Sequence, residues 1–212
     1  MHDTALIAGR LFAMCYGGYG KTVIDIGGRD VNGSLRSFFE SNGMKYICVD
    51  IEEHQSVDVV TAPGAKLPFD DQSVDLIVST SCFEHDPCFW ITFKDMTRIV
   101  KMGGFIYVNA PSNGPYHCFP GDNWRFYSDA GQSLSYWSSF QYSGEPIFPV
   151  SVVETFHLLP LTDLWVDFVC IWQRVNEVQT SILTSPTLQN GPLETSLQAH
   201  NCQTVRKISG TR

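Results

Sequence analysis

The sequence predicts an α/β protein built on a doubly wound, mostly parallel sheet of seven strands that ends in an antiparallel β-hairpin. Three observations lead to this prediction. Residues 22–35, TVIDIGGRDVNGSL, are typical of a strand followed by a glycine-rich turn and the start of a helix. Residues 74–80, VDLIVST, are nearly all apolar, as in a parallel strand covered on both faces. Strand-like and helix-like segments alternate along the chain until two strand patterns occur in succession at 150–172.

Apolar spacing places the elements of the first half. A helix is predicted over 4–16, where apolar residues recur at helical spacing before Gly17-Gly18. The first strand is formed by Val23, Ile24 and Ile26 and leads through the glycine turn to a helix over 34–42. We then expect a second strand at 45–51, a short third strand at 57–60, a proline-containing loop at 61–73 and the fourth strand at 74–80.

The second half combines a long loop with the predicted hairpin. Apolar residues from Phe89 to Val100 share one helical face, Gly103-Gly104 ends that helix, and FIYVN at 105–109 is the fifth strand. Residues 110–127 are dense in proline, glycine and aromatics, and a loop this long within a domain is usually functional. The remaining elements are a helix from Ser128 to about Phe140 and strands at 150–156 and 164–172, joined by a turn at 159–163.

Length and composition indicate one domain with an appendage. At 212 residues, with 43% hydrophobic and 13% aromatic residues, the chain can bury a substantial core, and we expect a single domain over 1–174. After Arg174 the sequence becomes rich in Ser, Thr, Gln and Asn, which predicts a weakly ordered tail over 175–212.

Charge, cysteine content and hydropathy argue against several classes of protein. Lys and Arg total 14 against 22 Asp and Glu, and this net charge of −8 argues against general nucleic-acid binding. The seven cysteines form no CxxC pair, so we expect buried reduced thiols, no disulfide framework and no metal. No run approaches 18 apolar residues, and no basic region precedes the apolar run near the N-terminus. The expectation is a cytoplasmic protein without membrane insertion; the sequence carries no signal for an oligomeric state.

The glycine turn indicates the kind of ligand. A dinucleotide fingerprint needs G-x-G-x-x-G, but Arg29 and Asn32 occupy the later glycine positions that would follow Gly27. Asp25, two residues before Gly27, suits a cationic ligand such as S-adenosyl-L-methionine (SAM), although an acid that only caps the turn is the alternative. Asp50, at the end of the second strand, is placed to accept hydrogen bonds from ribose hydroxyls, worth roughly 1.5–3 kcal/mol each, in this or another nucleotide.

Several short motifs occur in a fixed order: Asp25-x-Gly27, Asp50, LPFDDQSVDLIVSTSCFEH at 67–85, and RIVKMGG at 98–104 before a strand. Together they resemble the class I SAM-dependent methyltransferases of the type 11 group over about residues 8–174. The resemblance implies a Rossmann-like fold with SAM lying across the ends of the first, second and fourth strands. The chain departs from the family pattern at Arg29 and Val31, which replace loop glycines, and at 61–64, which lacks an acid for the adenine amino group.

The resemblance also implies a cofactor site. Its predicted members run from the methionine end of SAM through the ribose to the adenine and the end of the fourth strand: Asp25, Gly27, Gly28, Asp50, Ile51, Leu67 and Ser81.

Three residues are candidate general bases for an acceptor hydroxyl. His85, which follows Glu84 in the loop after the fourth strand, is the first, because an imidazole titrates near neutral pH. His117 and Asp122, on the long loop, are the alternatives. A structural histidine that holds the loop explains His85 equally well. Methyl transfer from a sulfonium is an in-line displacement that depends mainly on positioning, so a base can be dispensable.

The segment GDNWRFYSDAG at 121–131 resembles the D-x-W-R-F stretch of a subgroup associated with carbohydrate and surface-polysaccharide modification. Trp124 and Tyr127 are predicted to stack on a sugar or planar acceptor, and Arg125 to hold a carboxylate or phosphate. The alternative is a loop anchor, with Trp124 buried and Arg125 paired with an acid of the sheet.

These observations predict a SAM-dependent methyltransferase that acts on a small polar acceptor, with a sugar hydroxyl as the first candidate. A SAM-binding protein without turnover is the alternative. An NAD-dependent enzyme is a third hypothesis, and it would be stabilised against heat by NAD rather than by S-adenosylhomocysteine.

Overall fold

We describe a computed structural model of the chain, and the described residues are 3–141, 144, 146–160, 164–177, 191–202 and 204–205. Alternating helices and strands follow the order predicted from the apolar spacing. The elements are α1 (Asp3–Tyr16), β1 (Thr22–Ile26), α2 (Arg36–Ser41), β2 (Lys45–Asp50), β3 (Val59–Val60), β4 (Val74–Thr80), α3 (Phe89–Ile99), β5 (Val100–Pro111), α4 (Ala130–Ser138), β6 (Val150–Leu158), β7 (Asp167–Arg174), α5 (Pro192–Ala199) and β8 (Thr204–Val205).

The strands form one sheet in the order β3-β2-β1-β4-β5-β7-β6-β8. Pairing is parallel from β3 to β5 and antiparallel from β5 onward, so β6 and β7 form the predicted hairpin. The predicted fold class is confirmed, with one strand more than the seven predicted, because the two-residue β8 extends the sheet beyond β6. Because the strand order reverses between β1 and β4, a crevice opens at the carboxyl ends of these strands.

Two apolar layers cover the sheet. Val23 of β1 packs in one layer with α1, α2 and α5, while its neighbour Ile24 packs in the other with α3 and α4. Successive strand residues point to opposite faces, so β1 is buried on both sides, as its apolar sequence predicts. Within the described residues, no helix combines the length and the apolar character that a membrane crossing requires.

Some element boundaries differ from the prediction. Strand β5 begins at Val100 rather than at residue 105, because α3 ends at Ile99 and the chain becomes extended at once. Gly103 therefore lies within the strand, with φ +76° beside a register shift, and does not end the helix. Strand β7 begins at Asp167 rather than at residue 164, and part of the predicted turn, 161–163, lies outside the described residues.

The expected weakly ordered tail contains a packed helix. Leu193 and Leu197 of α5 are completely buried in the layer that includes α1. The carboxylate of Glu154 on β6 accepts hydrogen bonds from the backbone N–H groups of Leu193 (3.1 Å) and Glu194 (3.0 Å), which satisfies free donors at the start of α5. The expectation is therefore wrong for 192–199, since two leucines one turn apart are too sparse a signal within a polar segment. Residues 178–190 and 206–212 lie outside the described residues.

Replacing Leu197 with alanine is expected to lower the free energy of unfolding by about 2–3 kcal/mol, because a fully buried leucine leaves a cavity. Urea denaturation measures this change. Leu164→Ala is the control, since Leu164 is 76% exposed and its truncation is expected to change stability by less than about 0.5 kcal/mol. Equal effects of the two substitutions would contradict the packing of α5.

Candidate active site

A cavity of about 640 Å³ lies at the carboxyl ends of β1, β2 and β4. Its volume is typical of small-molecule sites, which span roughly 300–1,000 Å³. Most of the site residues predicted from the sequence line it: Asp25, Gly27, Gly28, Asp50, Ile51, Leu67, Ser81, His85 and His117. The fold therefore brings together residues from five separate stretches of sequence.

The two glycines after β1 are each required by a close contact. Gly27 has φ +73°, and its N–H donates to the Val49 carbonyl of β2 at 2.8 Å. A Cβ at Gly27 would lie 2.4 Å from Sγ of Cys82, and one at Gly28 would lie 2.6 Å from Cγ of Asp25. A ligand can thus approach the backbone of this turn closely, and the turn itself tolerates no side chain at either position.

Asp25 is buried at the bottom of the turn, with 1% of its surface exposed. The Tyr46 hydroxyl donates to its Oδ2, while Oδ1 has no hydrogen-bond partner among the described residues. Burial raises the pKa of Asp25 to about 7, against the opposing effect of the Tyr46 hydrogen bond. A cationic group in the cavity would stabilise the ionised carboxylate.

Asp50 ends β2, and its carboxylate faces the backbone that follows both β1 and β2. Oδ1 accepts from the N–H groups of Ile51 (2.8 Å) and Glu52 (3.2 Å), and Oδ2 accepts from the N–H of Arg29 (3.2 Å). Each carboxylate oxygen has more than one lone-pair direction, so these bonds leave acceptor capacity toward the cavity.

The loop that contains Leu67 is fixed by a buried cation on α3. Arg98 is 8% exposed and donates to the carbonyls of Leu67 (2.9 Å) and Phe69 (2.7 Å). Asp95 pairs with Arg98 through Nε at 2.5 Å and also accepts from the Leu67 N–H at 2.5 Å. This network holds the Leu67 side of the cavity against α3.

Ser81 turns the chain from β4 toward the cavity. It has φ +52°, which is uncommon for a residue with a side chain, and its N–H donates to the Asn109 carbonyl at 2.9 Å. Such backbone strain is of order 1–3 kcal/mol and often occurs at functional sites. The turn carries the next four residues, including His85, over the ends of the strands.

Glu84, His85 and His117 form a cluster at one end of the cavity. Nδ1 of His85 donates to the Gly121 carbonyl at 2.5 Å, and Nε2 lies 3.6 Å from Oε1 of Glu84. The His85 and His117 rings are 4.9 Å apart in an edge-to-face arrangement. Burial raises the pKa of Glu84 to about 8 and lowers that of His85.

Asp122, Trp124, Arg125 and Tyr127 are not on the cavity wall. Arg125 donates to Asp122 through both terminal nitrogens, at 2.5 and 2.7 Å, and this hydrogen bonding lowers the pKa of Asp122 to about 2. Asp122 also accepts from the backbone N–H of His117 at 2.8 Å. The pair therefore braces the loop that carries His117, and the partner acid belongs to the loop rather than to the sheet.

Trp124 joins the same loop to the segment after β4. Its indole N–H donates to the Asp86 carbonyl at 2.9 Å, and the backbone N–H of the preceding residue, Asn123, donates to the Glu84 carbonyl at 2.7 Å. Trp124 is 37% exposed and Tyr127 is 74% exposed. Binding of an acceptor by Trp124, Arg125 or Tyr127 stays a prediction, while the contacts of Trp124 and Arg125 correspond to the alternative role of loop anchor.

Residues without a sequence signal close the cavity. Phe119 lies over the glycine turn, with the Arg29 guanidinium 5.1 Å from its ring centre, and both residues line the cavity. Trp165 forms another part of the wall and packs so closely on Gly114 that a Cβ there would lie 2.0 Å from its ring. These contacts join residues far apart in sequence, and no local pattern reveals them.

Comparisons with known proteins agree with this geometry. Residues 24–108 match the family model described as "Methyltransferase domain", of the type 11 group. Over these residues the chain is similar to class I SAM-dependent methyltransferase domains, in agreement with the resemblance seen in the sequence. The match ends before the D-x-W-R-F-like stretch, so the subgroup stays a prediction.

Two mycobacterial proteins are among the relatives of this chain. An uncharacterized methyltransferase from Mycobacterium sp. (strain JLS) is 33% identical over 99 residues, which cover 42% of this chain and 38% of the relative. Another from Mycobacterium tuberculosis (strain ATCC 25177 / H37Ra) is 32% identical over 120 residues, covering 50% and 46%. The chain thus spans less than half the length of these curated relatives.

Solved structures share the fold. The Burkholderia thailandensis 1,6-didemethyltoxoflavin-N1-methyltransferase, bound to 1,6-didemethyltoxoflavin and S-adenosylhomocysteine, superposes with a TM-score of 0.64 at 14% identity, covering 82% of this chain and 80% of that one. The Haemonchus contortus phosphoethanolamine N-methyltransferase 1, bound to phosphoethanolamine and S-adenosylhomocysteine, gives 0.61 at 14% identity, covering 84% and 45%. At this identity the likeness establishes the fold alone.

Proposed function

We propose that this protein transfers the methyl group of SAM to a small polar acceptor, with a sugar hydroxyl as the first candidate. The observation that carries the proposal is the buried carboxylate of Asp25, directly below the Gly27-Gly28 turn at the strand reversal. One of its oxygens has no hydrogen-bond partner among the described residues. The methyltransferase-domain match over 24–108 includes all three residues. An anionic group at this position suits the ammonium and sulfonium charges of SAM better than the phosphates of a dinucleotide.

In the proposed complex, the methionine part of SAM lies at Asp25 and the two glycines. The ribose lies at Asp50 beside Ile51, and the adenine lies between Leu67 and the 61–65 loop, whose residues also line the cavity. No acid in 61–64 is available for the adenine amino group, so that contact falls to backbone carbonyls of the loop. The bound S-adenosylhomocysteine of the two structural neighbours supports the choice of cofactor.

The acceptor lies at the end of the cavity formed by Glu84, His85 and His117. An oxygen lone pair of the acceptor attacks the methyl carbon, and the C–S bond breaks with its electron pair left on sulfur. The hydroxyl proton passes to an imidazole of His85 or His117, or to water, in the same process. Asp122 is held by Arg125 and lies off the cavity wall, so the arrangement favours His85 and His117 over Asp122 for contact with the acceptor.

The loop between β5 and α4 covers one side of the cavity and shields it in part from water. Phe119, Pro120 and Gly121 of this loop all line the cavity, opposite the glycine turn. Exclusion of water strengthens the electrostatic interactions within the site and prevents competing hydrolysis. A small-molecule acceptor fits a cavity of this volume. Location in the cytoplasm stays a prediction.

Calorimetry with S-adenosylhomocysteine tests the proposal. We expect the protein to bind it and Asp50→Ala to bind at least about 10-fold more weakly, because charge-assisted hydrogen bonds to the ribose contribute roughly 1.5–3 kcal/mol each. Glu53→Gln is the control: it removes the charge of an exposed neighbouring acid and is expected to bind normally.

Absence of binding to the unaltered protein would refute the cofactor assignment. Equal binding by the unaltered protein and Asp50→Ala would place the ribose elsewhere.

A further inference from the structure

The cluster of Glu84, His85 and His117 has a geometry that proton transfer alone does not require. One carboxylate oxygen and one nitrogen of each ring lie within 4.8 Å of one another. All three residues line the cavity, at the end assigned above to the acceptor. We propose that these three side chains bind a divalent first-row transition-metal ion that holds the acceptor hydroxyl. The inference rests on the proposed function for the identity of the acceptor but not for the metal site itself.

Glu84 supplies the first argument. It is 1% exposed, and its Oε2 has no hydrogen-bond partner among the described residues. The neighbouring cation, Arg125, instead donates to Asp122 and to the carbonyls of Trp124 and Pro115. Burial favours the protonated form of this group, and a cation bound at Oε2 would instead stabilise the ionised carboxylate.

The orientation of His85 supplies the second argument. A carbonyl oxygen only accepts hydrogen bonds, so the contact with Gly121 places the proton of His85 on Nδ1. Nε2 then carries the free lone pair, on the side of the ring that faces Glu84. Histidine ligands of metals usually donate their other N–H to a carbonyl or carboxylate in this way, which fixes the tautomer and the ring orientation.

His117 has a looser outer contact, which is not a hydrogen bond among the described residues. Its Nδ1 is buried and lies 3.3 Å from Oδ2 of Asp122, a carboxylate that Arg125 holds in place. Asp122 and Arg125 therefore act as positioning residues, because they fix the loop from which His117 reaches the cluster. Both belong to the D-x-W-R-F-like stretch and support the loop of His117 without lining the cavity themselves.

Two imidazoles and one carboxylate suit Zn²⁺, Co²⁺ or Fe²⁺ better than Mg²⁺, which prefers oxygen ligands. Three protein ligands leave open positions on the cavity side. An acceptor hydroxyl bound there loses its proton to solvent more readily, because a metal ion lowers the pKa of a bound hydroxyl or water. The resulting oxyanion would attack the methyl carbon as the C–S bond breaks with its electron pair left on sulfur, and His85 would then be a ligand rather than the base.

The sequence led to an expectation of no metal because the cysteines lack metal-ligand spacing. That reasoning tested only thiolate sites. The present ligands are a Glu-His pair in the loop after β4 and a histidine on another loop, and only the fold brings them together.

Titration of the metal-stripped protein with Co²⁺ tests the proposal, because bound Co²⁺ gives visible absorption bands. We expect saturation at one equivalent, displacement by Zn²⁺, and at least about 10-fold weaker binding by His117→Gln and Glu84→Gln. The control is His157→Gln, which is expected to bind normally. His157 is also partly buried, but its ring nitrogens already contact Ser112 (3.1 Å) and Ser128 (3.3 Å).

A second measurement does not depend on the variants being folded. In the unaltered protein, Co²⁺ should shift the imidazole NMR signals of His85 and His117 far more than those of His157. Absence of saturable binding, equal shifts of all three signals, or unchanged affinity in folded His117→Gln and Glu84→Gln would overturn the proposal. Calorimetry with S-adenosylhomocysteine separates the two proposals: cofactor binding without metal binding removes only the metal site, and the reverse result removes only the cofactor assignment.

Discussion

Replacing Gly27 with alanine is expected to abolish cofactor binding and to lower the free energy of unfolding by about 2–5 kcal/mol. Two effects combine at this position. The backbone has φ +73°, which is strained for alanine, and the new Cβ would lie 2.4 Å from Sγ of Cys82. The turn must move away from Cys82, and its N–H bond to Val49 moves with it. Denaturation and calorimetry with S-adenosylhomocysteine measure the two losses.

Gly103→Ala is a matched control, because Gly103 has φ +76° and no atom within 4 Å of an added Cβ. It therefore isolates the backbone strain, for which we expect about 1–2 kcal/mol of destabilisation and no change in cofactor affinity. If Gly27→Ala were no more destabilising than Gly103→Ala and still bound S-adenosylhomocysteine, the close approach to Cys82 would have no functional importance.

The second large effect concerns Asp25 and pH. Its pKa is about 7 in the folded protein, against an ordinary value of 3.8 when unfolded. The contribution of Asp25 to the free energy of unfolding is therefore largest below pH 4, where the group is protonated in both states. This contribution is lost as pH rises through 7. Three pKa units correspond to up to about 4 kcal/mol. Between pH 4 and pH 8, we expect the free energy of unfolding of the unliganded protein to fall by up to about 4 kcal/mol relative to that of Asp25→Asn.

Cofactor binding should respond in the opposite direction. The ionised carboxylate attracts the cationic cofactor, so affinity for SAM is expected to increase from pH 6 to pH 7.5, whereas Asp25→Asn should bind weakly at every pH. Tyr46, Asp50 and Arg36 also act on the charge of Asp25. Tyr46→Phe removes a hydrogen bond that favours the ionised form, so the increase should move to higher pH. A pH-independent difference between the protein and Asp25→Asn would contradict this account.

Features of this fold that depend on residues close together in the sequence could be predicted from the sequence. The sheet was predictable because each buried strand carries its own apolar run, as 74–80 does. The glycine turn was predictable because an acid and two glycines adjoin one another in the sequence. These signals depend on neighbouring residues only.

Interactions between distant segments were not predictable in the same way. His85 and Asp122 are both polar residues in loops, but one faces the cavity and the other pairs with Arg125 behind it. Glu84 was recognised only as a neighbour of His85, because its burial depends on the long loop that folds over it. The packing of Phe119 and Trp165 on the cavity depends on contacts that exist only after folding.

The anchoring of α5 by Glu154 affects how the protein can be divided. A chain shortened to residue 174 would retain every strand from β1 to β7 but lose the two backbone donors that α5 presents to Glu154. That carboxylate is 2% exposed, and Tyr16 would be left as its donor from α1. We expect such a fragment to aggregate, because it would also uncover the apolar surface beneath Leu193 and Leu197. We therefore expect the smallest fragment that folds independently to extend past β7 and to include α5, because α5 supplies donors to the buried carboxylate of Glu154.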